Sequence, residues 1–170
     1  RSLSDKLIEA SNLDRGANIF VYHVKDPERF GVVSINEHGR PTKITEKPSQ
    51  PDSNLAVTGL YYYDNDVINY AKDLEPSSRG ELEITDINIK YLQEDNLEIK
   101  VLGRGFTWLD TGTPDSLLQA SNFIQTVQER QRLLVACLEE IAYRKGWISE
   151  DKLFEKSKKM LKTPYGQYLQ

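Results

Sequence analysis

Three short segments carry side chains of the kinds that bind phosphate, sugar hydroxyls or metal ions. Glu46 and Lys47 place a carboxylate and an ammonium group side by side, just before Pro48. Arg79 lies next to a glycine in a polar loop, and Asp110 precedes a Thr-Gly-Thr run. Carboxylates accept hydrogen bonds from hydroxyls, Lys and Arg bind phosphate, and one carboxylate can hold Mg²⁺ together with substrate phosphates. Each segment therefore has a possible chemical role.

Simpler structural explanations compete with these roles. Neighbouring strand side chains point to opposite faces, so Glu46 and Lys47 share a task only if the strand ends there. The residues alone favour a solvated strand end. Acids in the first turn of a helix suit the helix dipole, which explains those after Arg79 without a ligand. The run that begins at Asp110 is an ordinary helix start, but it also lies where open α/β sheets place ligands, and the residues leave both interpretations open.

The spacing of apolar residues predicts the elements that position these segments. Ser4 is the expected N-cap of the first helix, and Gly59 indicates close approach of another group to the backbone. Mixed strands and helices followed by helices alone predict an α/β fold with a helical C-terminal region. The expected strands are 17–24, 31–35, 42–46, 55–63, 97–102 and 107–109, the last ending at Asp110; the expected helices are 3–10, 64–73, 84–92, 113–132, 139–145 and 149–161, followed by a tail.

Composition excludes several classes of function. The 170 residues contain 22 Lys and Arg against 26 Asp and Glu, a net charge of -4 without a basic stretch, so nucleic acid is not the expected partner. One cysteine and two histidines exclude a disulfide framework and argue against structural zinc. No apolar run approaches the roughly 20 residues that span a bilayer, so no membrane partner is expected and the predicted location is cytoplasmic.

Taken in order, the segments resemble one enzyme family. The chain resembles glucose-1-phosphate thymidylyltransferase of the short bacterial type, which makes dTDP-glucose for dTDP-rhamnose and related sugars. That family has a Rossmann-like nucleotide-diphospho-sugar transferase fold, of which this sequence would form part of the mixed sheet. The strings that carry the resemblance are 26–33 (DPERFGVV), 46–48 (EKP), 56–61 (AVTGLY), 79–86 (RGELEITD) and 108–113 (WLDTGT).

The resemblance implies a binding site for glucose-1-phosphate. Gly31 and Val57, through their main chains, and Glu46 would hold the glucose. Lys47 and Arg79 would bind its phosphate as the catalytic cations, with Lys47 also steadying the transferred phosphoryl group. Residues 1–132 would then form the sugar-phosphate part of the α/β domain.

The resemblance also implies metal, regulatory and assembly roles. Asp110 would be one of two aspartates that bind Mg²⁺. Residues 133–170 would serve oligomerisation and regulation, commonly in a homotetramer. The positions that match the family's second, feedback nucleotide site are Gly103, Arg104, Glu140 and Ile141.

The sequence departs from the family in ways that affect function. It contains no Gly-Gly-x-Gly-Thr-Arg-Leu loop for the triphosphate and no Gly-Asp-Asn turn with the first metal-binding aspartate. Phe30 stands where a tyrosine is usual, and Leu138 replaces a frequent proline. We therefore expect a C-terminal fragment that is inactive alone. The alternatives are a non-catalytic sugar-phosphate-binding or oligomerisation module, a structural remnant, and an enzyme that uses another base.

Overall fold

A computed structural model describes residues 2–170, which divide between Trp108 and Leu109 into two compact units. The helical region expected from residue 133 is part of the second unit. None of the helices within residues 2–170 is long and apolar enough to cross a membrane.

The first unit contains a five-stranded mixed sheet. The strand order is β3-β2-β4-β1-β5, in which β1 and β5 run parallel and the other pairs are antiparallel. The α/β class predicted from the sequence is confirmed. The strands are β1 (Ala17–His23), β2 (Gly31–Ile35), β3 (Pro41–Glu46), β4 (Leu55–Tyr63) and β5 (Leu97–Leu102); the helices are α1 (Leu3–Ser11), α2 (Val67–Lys72) and α3 (Ile84–Gln93), with a 3-10 turn at Pro27–Arg29.

Strand β1 carries the core of this unit because its side chains alternate between two covered faces. Ile19 is fully buried and belongs to the cluster that includes Ile87 and Tyr91 of α3. Phe20, on the opposite face, packs with Ala10 of α1. A strand buried on both faces reads as a continuous apolar run, which is why the sequence pattern located it.

The N-cap of helix α1 differs from the one expected. Its N-cap is Ser2, whose hydroxyl accepts a hydrogen bond from the Asp5 N–H while the Asp5 carboxylate accepts one from the Ser2 N–H. The prediction of Ser4 was wrong because Ser2 has the acidic partner three residues later that completes a reciprocal capping box.

Gly59 lies in an irregular part of β4. Ile19 pairs with Tyr61 but Val21 pairs with Val57, so β4 has two extra residues opposite β1. Gly59 has a φ of +86°, and nothing lies within 4 Å of where its Cβ would be. Within residues 2–170 the positive φ of this bulge, rather than a close neighbour, accounts for the glycine.

The second unit is helical. Thr113 caps α4 and accepts a hydrogen bond from the Ser116 N–H. The segment expected to be a tail forms a helix, and its Gly166 packs so closely that a Cβ would lie 2.1 Å from the Met160 carbonyl oxygen. The helices are α4 (Pro114–Gln131), α5 (Leu138–Arg144), α6 (Glu150–Lys159) and α7 (Pro164–Tyr168).

Candidate functional site

The start of β2 and the end of β3 form the base of the candidate site. Gly31 and Glu46 pair directly across the antiparallel ladder. A Cβ at Gly31 would lie 3.1 Å from both Glu46 Oε2 and Thr85 Oγ1, and 3.6 Å from Val57 Cγ2. The structure therefore brings together Gly31, Glu46 and Val57, the three residues predicted to hold the sugar, and the absent side chain at Gly31 leaves room for the carboxylate.

Thr85 orients that carboxylate. Its hydroxyl donates a hydrogen bond of 2.5 Å to Glu46 Oε2, and the residue is buried at the start of α3. Thr85 lies inside the string 79–86, but the sequence assigns it no role, since a threonine in a first helical turn has no distinctive pattern. Burial raises the pKa of Tyr61, and the nearby Glu46 carboxylate raises it further.

Lys47 stands beside Glu46 because β3 ends between them. The Lys47 backbone has a φ of +41°, in the left-handed region, and its N–H donates to the Phe30 carbonyl at 3.0 Å. Lys47 Nζ lies 3.8 Å from Glu46 Oε1. The strand therefore stops at Glu46, which is the condition under which the two side chains can share a site.

Arg79 reaches the same carboxylate from the loop before α3. Its Nη1 lies 3.6 Å from Glu46 Oε1 and 3.4 Å from Glu83 Oε1, and its Nη2 lies 2.5 Å from Glu81 Oε2. All five residues predicted to bind the sugar phosphate are thus in one place, and they combine hydrogen-bond acceptors with two cations.

An aromatic pair lies next to this place. The rings of Phe30 and Trp108 meet edge to face with centroids 5.1 Å apart, and Trp108 Nε1 donates to the Thr58 carbonyl at 3.1 Å. Residues 107–109 form no strand, so that prediction was wrong. The side chain of Trp108, rather than a backbone ladder, anchors this segment to β4.

Asp110 belongs to the second unit and follows an irregular segment, not a strand end. Its Oδ1 accepts a hydrogen bond of 3.2 Å from the Gly112 N–H, and a Cβ at Gly112 would lie 3.3 Å from that oxygen. Within residues 2–170 there is no cluster of three or more His, Cys, Asp or Glu side chains suited to a metal ion. A single partly exposed carboxylate fits Mg²⁺, which often takes one or two carboxylates and completes its shell with water and phosphate.

The four predicted regulatory residues are shared between the two units. Gly103 and Arg104 follow β5 in the first unit and are exposed. Glu140 and Ile141 lie on α5 in the second unit. Glu140 accepts a hydrogen bond of 2.6 Å from the Tyr168 hydroxyl and borders a cavity of about 810 Å³ that Tyr168 also lines.

A family model described as nucleotidyl transferase matches residues 2–127. The chain belongs to the nucleotidyl transferase family. The motifs that carry the resemblance lie within this match, and the regulatory positions on α5 lie outside it.

Curated relatives identify the branch of the family that this chain resembles. It is 54% identical over 169 residues to a glucose-1-phosphate thymidylyltransferase of Neisseria meningitidis, a match that covers 99% of the chain and 59% of that protein. It is 48% identical over 154 residues to the enzyme of the same name from Mycobacterium tuberculosis H37Rv, covering 91% of the chain and 54% of that protein. The resemblance found in the sequence is confirmed, and the chain spans little more than half the length of these relatives.

A solved structure agrees with this placement. A crystal structure from Bacillus anthracis, described as a glucose-1-phosphate thymidylyltransferase in complex with sucrose, is 42% identical to this chain. It matches with a TM-score of 0.64 and covers 72% of this chain and 49% of that one. The fold described above is therefore that of a nucleotidyltransferase.

Proposed function

We propose that this chain supplies the sugar-phosphate side of an enzyme that converts dTTP and glucose-1-phosphate to dTDP-glucose and pyrophosphate. The observation that carries the proposal is the convergence of Gly31, Glu46, Val57, Lys47 and Arg79 at one end of β2 and β3. The names of the relatives support the choice of base and sugar.

The chemistry of the site suits sugar-phosphate binding. Glu46 would accept hydrogen bonds from sugar hydroxyls, and the main chains of Gly31 and Val57 would also contact the sugar. Lys47 and Arg79 would neutralise the phosphate whose oxygen attacks the α-phosphorus of dTTP. Nucleotidyl transfer asks the protein mainly for in-line positioning and charge stabilisation, so a carboxylate and two cations are sufficient on this side.

Asp110 would contribute one oxygen ligand to Mg²⁺. Bound there with the substrate phosphates, the ion would neutralise developing charge on them. The carboxylate is partly exposed and accepts a hydrogen bond from the Gly112 N–H, which supports this role.

Further roles follow from the same resemblance. Gly103, Arg104, Glu140 and Ile141 would each contribute to the binding of a regulatory nucleotide, and residues 133–170 would mediate a homotetramer. Because its substrates are cytoplasmic metabolites, the enzyme would act in the cytoplasm. We expect the chain alone to bind the sugar phosphate without turnover, since its sequence has no glycine-rich triphosphate loop.

Binding by the chain itself is the first test. We expect calorimetric titration with glucose-1-phosphate to give saturable binding that Lys47→Ala or Arg79→Ala weakens by about tenfold or more, the effect of losing a hydrogen bond to a charged group. Lys43→Ala is the matched control, because Lys43 is an exposed lysine on β3, the strand that precedes Lys47, and it pairs with Asp52. No binding, or equal binding by all variants, would contradict the proposal.

Turnover is the second test. The chain joined behind the N-terminal part of the Neisseria meningitidis relative should form dTDP-glucose from dTTP, glucose-1-phosphate and Mg²⁺. Asp110→Asn in that fusion should lower the rate at saturating substrate. Full Mg²⁺-dependent turnover by Asp110→Asn would refute the metal assignment, and binding without turnover by the intact fusion would favour a non-catalytic binding module.

A further inference from the structure

Three acidic side chains surround the guanidinium group of Arg79. Glu46 and Glu83 approach Nη1 at 3.6 and 3.4 Å, and Glu81 approaches Nη2 at 2.5 Å. A guanidinium presents the same donors to a carboxylate and to a phosphate. Any phosphate that binds Arg79 therefore competes with these carboxylates.

The three carboxylates differ in what else holds them. Glu46 is held by the hydroxyl of Thr85 at 2.5 Å. The Glu83 side chain is 12% exposed and accepts a hydrogen bond from Ser77 Oγ at 3.0 Å. Glu81 is 61% exposed, and within residues 2–170 its carboxylate has no partner besides Arg79. Glu81 is thus the carboxylate that can move away from Arg79.

The loop allows the Glu81 side chain to move while its backbone stays in place. The Ser77 N–H donates to the Glu81 carbonyl at 2.8 Å, and the Gly80 N–H donates to the Ser77 carbonyl at 2.8 Å. These bonds close the loop without using the carboxylate. Because an exposed ion pair contributes little free energy, exchanging it for a phosphate costs little.

We infer that Glu81 is an internal competitor for phosphate at Arg79, and that it sets the affinity of the site for phosphorylated sugars. The phosphate takes the Nη2 donor that Glu81 occupies, and the Glu81 carboxylate turns into solvent. Lys47 and Arg79 face three carboxylates, so the site as it stands has one more negative than positive side chain. When Glu81 moves away, the two cations face two carboxylates, and the excess negative charge that would repel an incoming anion is gone. The inference rests on the proposed binding of glucose-1-phosphate at Arg79.

The test is a Glu81→Gln variant of the 170-residue chain, titrated with glucose-1-phosphate, inorganic phosphate and glucose. Removing the competing charge should tighten both phosphate ligands by about two- to fivefold and leave glucose unchanged. Glu75→Gln is the matched control: it removes one exposed charge from the same connection, and within residues 2–170 the Glu75 side chain makes no hydrogen bond or ion pair. Its affinities should equal those of the unmodified chain.

Carboxyl ¹³C NMR gives a second reading that does not depend on the variant's affinity. The Glu81 signal, assigned by its loss in Glu81→Gln, should shift on saturation with glucose-1-phosphate, and the Glu75 signal should stay in place. Binding that Glu81→Gln leaves equal or weaker, or a Glu81 signal that does not move, would overturn this inference and leave the proposed function intact. Absence of glucose-1-phosphate binding in every variant would overturn both.

Discussion

Residues 2–108 and residues 109–170 are stabilised by different kinds of contact. The first unit buries aliphatic and aromatic side chains from distant segments, such as Ile19 of β1 and Ile87 of α3. In the second unit the ends of α5 and α7 are joined by polar pairs, in which the hydroxyls of Tyr165 and Tyr168 donate to Glu139 and Glu140.

The two units also differ in how far their apolar side chains are exposed to solvent. In the second unit Leu138 and Trp147 are 71% and 73% exposed, whereas strand β1 of the first unit is covered on both faces. The five residues proposed to bind the sugar phosphate lie on the covered sheet or the loop beside it. A site on a sheet with a buried core keeps its geometry better than one on short helices joined by hydrogen bonds, because burial resists local opening.

The largest effect should come from the core of the first unit. Ile19→Ala removes a fully buried side chain and should cost about 2–5 kcal/mol of unfolding free energy. Hydrogen exchange read by mass spectrometry should show the loss in peptides of residues 2–108. An equal loss confined to residues 109–170 would show that the two units do not differ as described.

A smaller effect should follow removal of the hydroxyl that orients Glu46. Thr85→Val leaves the carboxylate without its buried donor and should cost about 1–3 kcal/mol, seen as lower stability or weaker glucose-1-phosphate binding. Thr85→Ser keeps the hydroxyl and should bind nearly as the unmodified chain does. If Val and Ser behave alike in calorimetry, packing rather than the hydrogen bond matters at this position.

The second unit should respond to acid through Glu139. The hydrogen bond from Tyr165 and the charge of Lys156 hold the pKa of Glu139 below its usual value, although burial acts in the other direction. A carboxyl whose pKa is lower in the folded state stabilises that state above its unfolded pKa, and the contribution disappears as pH falls through the folded pKa. Acidification below about pH 4.5 should therefore reduce exchange protection in residues 109–170.

Tyr165→Phe provides the control for this acid response. It should cost about 1 kcal/mol at neutral pH and flatten the response of the second unit. Tyr165→Phe should leave the acid response of the first unit unchanged, because that response depends on groups such as Asp64. Burial raises the pKa of Asp64, but hydrogen bonds from Tyr91 and Gly16 outweigh burial and hold that pKa low in both proteins. An unchanged response in residues 109–170 would mean that another group controls their acid stability.

The smallest effect should come from an exposed ion pair. Lys43 Nζ lies 2.6 Å from Asp52 Oδ2, with both side chains about 60% exposed. Lys43→Gln should change the unfolding free energy by less than about 0.5 kcal/mol in urea titration. A loss above about 1 kcal/mol would indicate that surface charge contributes to the first unit as strongly as the contacts that orient Glu46.

Local sequence patterns predicted most helices and strands, and they failed where contacts between distant segments decide the local structure. The alternation and apolar runs of β1 and β4 located both strands, because a covered strand needs apolar side chains. Residues 107–109 have strand-forming types but make no ladder, and Trp108 bonds to the Thr58 carbonyl instead. The sequence singled out Gly59 but did not predict the bulge in which it lies, since a bulge depends on the register of two strands.

For the candidate site, sequence motifs named the residues, whereas the tertiary structure decided their geometry. The Glu-Lys-Pro and Arg-Gly-Glu strings suggested phosphate and sugar binding, because residue type determines charge and hydrogen-bonding capacity. Thr85 gained a role only when α3 packed beside β2 and β3. Its bond to Glu46 joins residues 39 positions apart, a contact that no local pattern records.

The sequence by itself determined the α/β class, the likeness to thymidylyltransferases and the residue types available for binding. The class and the residue types follow from side-chain chemistry and periodicity, and the likeness rests on short sequence motifs; all of these are local. Only the tertiary structure decided that Glu46 is fixed by Thr85, whereas Glu81, among residues 2–170, is held by Arg79 alone. The physical reason is that burial and hydrogen-bond partners come from segments far apart in the chain, and these decide which of several identical carboxylates can move.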